Sequence, residues 1–247
     1  MNLMDMEKYG VRTPYHNVKI VDGFPNTVIV TFSLSIIKHI TTSYNIEIIA
    51  ELRSANGITP IYKIVVGEKE IAIYMSPMGA SICTARLEEV IVMGAKNIVF
   101  FGSCGGLIDR MNSFDIIVPT IAIVDEGTSK CYSGNDFIEI ANSNMVEKKL
   151  AQLGVTVIKG ACWTTDGLYR ETVDKISNMQ NCGAIVVDME MSAVATVCEF
   201  RNVQLYAFLY CGDLIINNKW NEGLLKKMTR KEKVTMFEYA LNIGIGL

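Results

Sequence analysis

Short apolar runs broken by glycine, proline or polar clusters recur along the chain, and most have the length of a strand. The first is Thr27-Val-Ile-Val-Thr31. It leads into Phe32-Ser33-Leu34-Ser35, where either serine is placed to cap a helix through Ile36-Ile37-Lys38. Residues 46–61 predict strand and turn around Arg53, with Asn56-Gly57 marking the turn. Tyr62–Val66 and Glu70–Tyr74 predict a hairpin about Gly67-Glu68-Lys69. Cys83–Met93 has helical spacing and stops at Gly94, a C-cap signal. Asn97–Phe101 predicts a buried strand followed by a glycine-rich turn, Gly102-Ser103-Cys104-Gly105-Gly106. A strand at Asp115–Val118 runs on through Ile121–Val124, Met145–Leu153 predicts a helix, and Val155–Ile158 is extended. Trp163–Glu171 is a polar loop. Ala184-Ile-Val-Val187 is a buried strand with Asp188 and Glu190 at its carboxyl end, and a helix continues from Ser192. Gln204–Tyr210 is the last apolar strand, and Lys226–Asn242 an amphipathic closing helix.

Strands interleaved with helices, with no repeat and no linker, imply one α/β domain over residues 1–247. Twenty-three basic against 26 acidic residues leave a formal charge of −3, which supplies no electrostatic pull toward nucleic acid or an anionic membrane. No run approaches the ~20 apolar residues of a membrane span, and residues 1–10 lack the apolar core of a secretory signal. Seven cysteines, an odd number scattered through apolar segments, predict reduced thiols in a cytoplasmic protein. With two histidines and no metal-ligand spacing, a structural zinc site is not expected.

Four apolar strands end in small or polar residues: Thr31-Phe32-Ser33, Gly102-Ser103-Cys104-Gly105, Asp188-Met189-Glu190 and Gly212-Asp213. Side by side in parallel, they would converge on one cleft, where ligands of open α/β sheets sit. A glycine-rich turn there either cradles an anion with its N–H groups or only bends the chain; it lacks the dinucleotide spacing. Asp188 and Glu190 either begin a helix whose dipole favours carboxylates or face a ligand. Glu190 has the two acceptors a vicinal diol requires. Asp213, in apolar surroundings, is either a cap or a general acid. To be half protonated at pH 7 an aspartate must rise from about 3.9 to about 7, roughly 4 kcal/mol.

Taken together, Gly102-Ser-Cys-Gly, Val187-Asp-Met-Glu190 and Gly212-Asp213, in this order and spacing, resemble the nucleoside phosphorylases of the purine nucleoside and uridine phosphorylase type. Thr13-Pro-Tyr-His16, Arg53 before Thr59 and Tyr62, and Met78-Gly79 extend the resemblance over nearly the whole chain. It implies a central mixed, twisted sheet flanked by helices. It also implies phosphorolytic cleavage of a nucleoside to free base and ribose 1-phosphate, with inorganic phosphate as co-substrate and no metal or organic cofactor. By position, Met78, Met189 and Glu190 match ribose contacts, and His16 matches, within one residue, a histidine reaching a neighbouring subunit's 5′-hydroxyl. Ser103 matches a phosphate ligand and Arg53 a phosphate-binding arginine shared across a subunit interface. Cys104, Gly105, Leu168, Val187 and Asp188 border the base. Asp213 matches the acid that protonates N7 of a purine, and the Gln-x-Arg of the uracil-specific relatives is not found after Tyr169. Shared sites imply a homo-oligomer, a dimer or a hexamer of dimers.

Two departures bear on the anion. Where relatives carry Gly-Asp-Pro-x-Arg, this chain has Phe32-Ser33-Leu34-Ser35-Ile36, and Phe100 stands where many have an arginine before the glycines. Two of three phosphate-binding guanidiniums are therefore absent, and Arg170 and Lys38 either compensate from new positions or are solvated surface cations. A charged hydrogen bond contributes about 1.5–3 kcal/mol, so the loss would weaken phosphate binding by orders of magnitude. A nucleosidase using water and a non-catalytic nucleoside-binding protein are the alternatives that follow.

Overall fold

The computed structural model describes residues 10–55, 57–223 and 227–247. The predicted turn residue Asn56, Lys226 at the predicted start of the last helix, and residues 1–9 lie outside them. In chain order the elements are β1 (Thr27–Thr31), α1 (Leu34–Ser43), β2 (Ile46–Ser54), β3 (Gly57–Val66), β4 (Lys69–Met75), α2 (Ala80–Met93), β5 (Asn97–Gly106), β6 (Ile116–Asp125), β7 (Phe137–Glu139), α3 (Ser143–Gln152), β8 (Val157–Thr165), α4 (Val173–Asn181), β9 (Ala184–Asp188), α5 (Met191–Arg201), β10 (Gln204–Ile216), β11 (Lys219–Asn221) and α6 (Arg230–Ile245).

All the strands belong to one mixed sheet in the order β11-β10-β6-β8-β9-β5-β1-β4-β3-β2, with β7 added to β6. Because β10 also pairs with β5, the strands β5, β10, β6, β8 and β9 close into a ring. The central strands are buried on both faces, and alternate side chains enter different cores as the pleat requires. Val28, Val30, Ile98, Phe100, Leu205 and Ala207 pack with Cys83, Leu87 and Val90 of α2 and Val194 and Val197 of α5. Ile29, Val99, Phe101, Tyr206 and Phe208 pack instead with Ile36 and Ile40 of α1, Val146 of α3 and Phe237 of α6. Phe100, Phe101, Phe208 and Phe237 are each at most 2% exposed, and burying such a ring contributes about 1.5–3 kcal/mol. Among the described residues no helix is long and apolar enough to cross a membrane.

Two sequence expectations are corrected here. Gly102–Gly106 is not a turn but the second half of β5, paired with Leu209–Leu214 of β10 in parallel. Its last glycines serve close packing: a Cβ on Gly106 would stand 2.7 Å from both Leu214 Cδ2 and Met111 Sδ, and one on Gly105 would stand 3.0 Å from Val187 Cγ1. The second correction concerns direction. β1, β5 and β10 run parallel, but β9 meets the end of β5 antiparallel, Gly105 opposite Val187. The four ends still converge, because the ring brings β9 round to β5 from the other side.

Candidate active site

The carboxyl ends of β1, β5, β9 and β10 open into one cleft of about 1090 Å³, at the upper end of the range for small-molecule sites. Ser103, Cys104, Gly105, Val187, Asp188, Met189, Glu190, Asp213, Met78 and Leu168 all line it. Ten of the twelve predicted site residues are thus brought together. His16 and Arg53 are not. His16 is exposed in a 3-10 turn at Pro14–His16, its Nδ1 within 3.1 Å of the Thr13 backbone N–H that donates to it. Arg53 lies on the outer hairpin of β2 and β3, its guanidinium 72% exposed and 2.6 Å from Glu51.

The two acids after β9 have separate tasks. Asp188 accepts hydrogen bonds from the backbone N–H groups of Glu190 (3.1 Å) and Met191 (2.7 Å), from Thr164 Oγ1 (2.6 Å) and from the Cys162 thiol (3.4 Å). It lines the cleft, yet its oxygens hold the start of α5, where the helix dipole favours a carboxylate. Burial raises its pKa, opposed by those four donors. Glu190, 9% exposed, reaches across instead to the N-terminus of α2 and accepts the Gly79 N–H at 2.5 Å. Gly79 sits at φ +99° with open space around a Cβ, so its backbone conformation, not crowding, favours glycine there. Burial first, then the negative charge of Asp188, pushes Glu190 up to about 7.

Asp213 follows a bulge in β10 at Cys211/Asp213 that offsets it from the regular register. Its Oδ1 comes within 3.6 Å of the Cβ position of Gly105, and its Oδ2 accepts a hydrogen bond from the Trp220 indole N–H at 2.7 Å. Trp220 is on β11, folded back by Asn217 and Asn218, both with positive φ as a tight hairpin requires. Burial raises the Asp213 pKa and the indole donor opposes it. Sequence reasoning missed Trp220; the Asn-Asn pair was the signal for its hairpin. The sequence left Tyr169-Arg170-Glu171 open between pocket lining and loop cap; Glu171 lines the cleft just past a 3-10 turn at Leu168–Arg170.

Below Ser103 the cleft is apolar. Phe32 stands edge-on to Phe100 at 5.5 Å and 78°, and Ile36 is 2% exposed. The Ser103 side chain hydrogen-bonds the Tyr210 hydroxyl. Neither Lys38 nor Arg170 lines the cleft; among the described residues its cation is Lys233 of α6, against Glu171, Asp188, Glu190, Asp213 and Glu222. Asp125 and Glu126 lie outside it. Asp125 accepts from Trp163 Nε1 (2.9 Å) and pairs with Lys175 (2.6 Å), while Glu126 accepts from Ser129 N and from Ser192 Oγ (3.0 Å). Both hold the loop after β6. Among the described residues no three His, Cys, Asp or Glu side chains group to hold a metal, and all seven cysteines are unpaired.

This chain is similar to known proteins along almost its entire length. It is 27% identical over 242 residues to a DeoD-type purine nucleoside phosphorylase of Aliivibrio salmonicida, covering 95% of this chain and 99% of the relative. It is 26% identical over 242 residues to a second such protein, from Vibrio parahaemolyticus, with the same coverage. Its fold matches a crystal structure of uridine phosphorylase from Vibrio fischeri with a TM-score of 0.71 at 22% identity, covering 95% of both chains. It matches purine nucleoside phosphorylase from Toxoplasma gondii, in complex with immucillin-H, with a TM-score of 0.71 at 19% identity over 96% of this chain and 95% of that one. The family model described as the phosphorylase superfamily matches residues 28–237, and the chain belongs to that superfamily.

Proposed function

We propose that this protein cleaves the N-glycosidic bond of a nucleoside by phosphorolysis, releasing a purine base and ribose 1-phosphate. The observation that carries this is the meeting of Glu190 and Asp213 in one cleft, the first presented by the N-terminus of α2 and the second beside Gly105. Glu190 accepts from the ribose 2- and 3-hydroxyls beside Met189 and Met78. As the C–N bond breaks, positive charge develops on the sugar, and carboxylates around it stabilise that charge. Asp213, whose pKa burial raises, delivers a proton to N7 of the leaving base. Phosphate enters beside Ser103 and attacks the anomeric carbon. No metal or organic cofactor takes part.

His16 and Arg53 stand away from the cleft of their own chain, where a role in a neighbour's site would put them. We take the working form to be a homo-oligomer with shared sites, acting in the cytoplasm, where unpaired thiols persist.

One observation favours a second reading. The anion end is lined by Phe32, Phe100 and Ile36, and the cleft carries five carboxyls against one lysine among the described residues. Water, being neutral, needs no guanidinium, so hydrolysis is the rival. The deciding assay follows base release from inosine, adenosine and uridine with and without phosphate. Phosphorolysis requires phosphate and yields ribose 1-phosphate; full-rate release without it, yielding ribose, establishes hydrolysis. No release from any nucleoside refutes both.

A further inference from the structure

Glu171 is a cleft carboxyl that the reading above leaves without a task and that accepts no hydrogen bond from a described residue. It follows the 3-10 turn at Leu168–Arg170, which is closed by the Arg170 N–H donating to the Gly167 carbonyl at 2.7 Å. Two residues later α4 begins, anchored by Ile176 in a core cluster with Trp163 and Val187. The backbone carrying Glu171 is therefore held at both ends, and its half-buried side chain lines the cleft together with Asp213. Asp213 commits Oδ2 to Trp220 and leaves Oδ1 toward Gly105 and the cleft. Glu171 commits neither oxygen to a hydrogen bond or ion pair with any described residue.

We propose that Glu171 is a second base-contacting carboxyl, which divides one proton with Asp213 and accepts from an N–H or amino donor at or next to C6 of a purine. This rests on the nucleoside-cleavage reading and deepens it, because it names the edge of the base that is read. Two carboxyls lining one cleft resist carrying two negative charges, so the pair holds a proton to higher pH than either would alone. It then offers one donor and one acceptor. The donor serves N7; the acceptor serves the neighbouring amino group of adenine or N1–H of hypoxanthine. An unsubstituted purine has no such hydrogen to give.

The charges around Glu171 agree. Burial, followed by the charge of Asp213, pushes Glu171 up to about 7, opposed by Lys175 of α4. Lys175 is itself engaged, 2.6 Å from Asp125 and 5.6 Å from the centre of the Trp163 ring. Asp188, Glu190, Glu222 and Lys233 of α6 are the other charged groups lining the cleft, with Arg170, next to Glu171 in sequence, outside it.

The test compares kcat/KM for inosine, adenosine and unsubstituted purine riboside in the wild type, E171A and E171Q, between about pH 5 and pH 9. In E171A the two donor-bearing nucleosides lose about 10- to 100-fold, and purine riboside less than about 3-fold. E171Q keeps a carbonyl acceptor and therefore most of the preference. Its loss of activity toward alkaline pH nevertheless begins at lower pH, because Asp213 without a negative neighbour releases its proton sooner. Equal losses for all three substrates in E171A, or an unmoved alkaline limb in E171Q, overturn the proposal while leaving nucleoside cleavage standing. If the wild type cleaves no nucleoside, that reading fails, and equilibrium binding of free hypoxanthine against free purine decides Glu171 separately. A preference for hypoxanthine that vanishes in E171A supports it, and equal binding by the wild type sinks it.

Discussion

At one end of the cleft Glu190 is held by the Gly79 N–H at 2.5 Å, with Asp188 behind it gripping two backbone N–H groups of α5. Elsewhere in the same cleft Phe32 leans edge-on against Phe100, and Ile36 is sealed into the core. The first region keeps charged side chains in place by surrounding them with helix N-termini and hydroxyls; the second holds rings where its relatives by resemblance hold guanidiniums. The contrast shows which chemistry a scaffold can exchange cheaply. Replacing a buried charge by a well-packed apolar group is often neutral or stabilising, whereas removing one partner of a buried charged network leaves the other uncompensated. The Glu190 region is such a network, and the Phe100 region is ordinary core.

Breaking the sugar end has the largest effect. Glu190→Ala removes the proposed acceptor for two ribose hydroxyls, each a charged hydrogen bond of about 1.5–3 kcal/mol, so kcat/KM is expected to fall by about 10²-fold or more in steady-state assays. A drop under tenfold would detach Glu190 from the sugar.

Rebuilding the anion end comes next. Ser35 lines the cleft and is partly exposed, so Ser35→Arg adds a guanidinium without opening the core. If phosphate is the nucleophile, its KM falls by about tenfold, the worth of one charged hydrogen bond. A rate that ignores both phosphate and the new arginine assigns this end to water.

The smallest effect is on stability. Glu190 rises from its ordinary 4.5 to about 7 in the folded protein, so the folded state binds more protons than the unfolded state between those values. Stability is then undiminished below about pH 4.5, declines as pH rises, and reaches its full loss above about pH 7. The span corresponds to roughly 3 kcal/mol. Glu190→Gln, which still accepts from Gly79, avoids the loss and gains about 5–10 °C in Tm at pH 8 and little at pH 4.5. A Tm difference independent of pH would mean that Glu190 carries no such burden.

Much of this was legible in the pattern of apolar positions. β1, α2, the first half of β5, α3, β9 and α5 lie where the runs put them, because burial against one face imposes a period the chain displays, while α6 begins at Arg230 behind its Thr229 cap rather than at Lys226. β8 and β10 run further than the apolar runs showed: Trp163-Thr-Thr165, read as polar loop, and Cys211-Gly-Asp213, read as a strand's end, both continue their strands. Ladder hydrogen bonds carry a strand through polar residues wherever a partner is available, and the closed ring provides partners on both sides. α4, β7 and β11 carried too little apolar signal to be read.

The sequence alone determined the α/β alternation, the polar strand ends, the absent arginines and the family resemblance, all of which follow from local composition and order. Only the tertiary structure decided that Asp188 holds a helix while Glu190 faces the cleft, since the two differ by which N-terminus each can reach. It likewise made Gly102–Gly106 a strand, and it brought Glu171, Trp220 and Lys233 to the cleft of Asp213 from three other segments. Those outcomes depend on ring closure and on distances between residues remote in the chain, which no local pattern encodes.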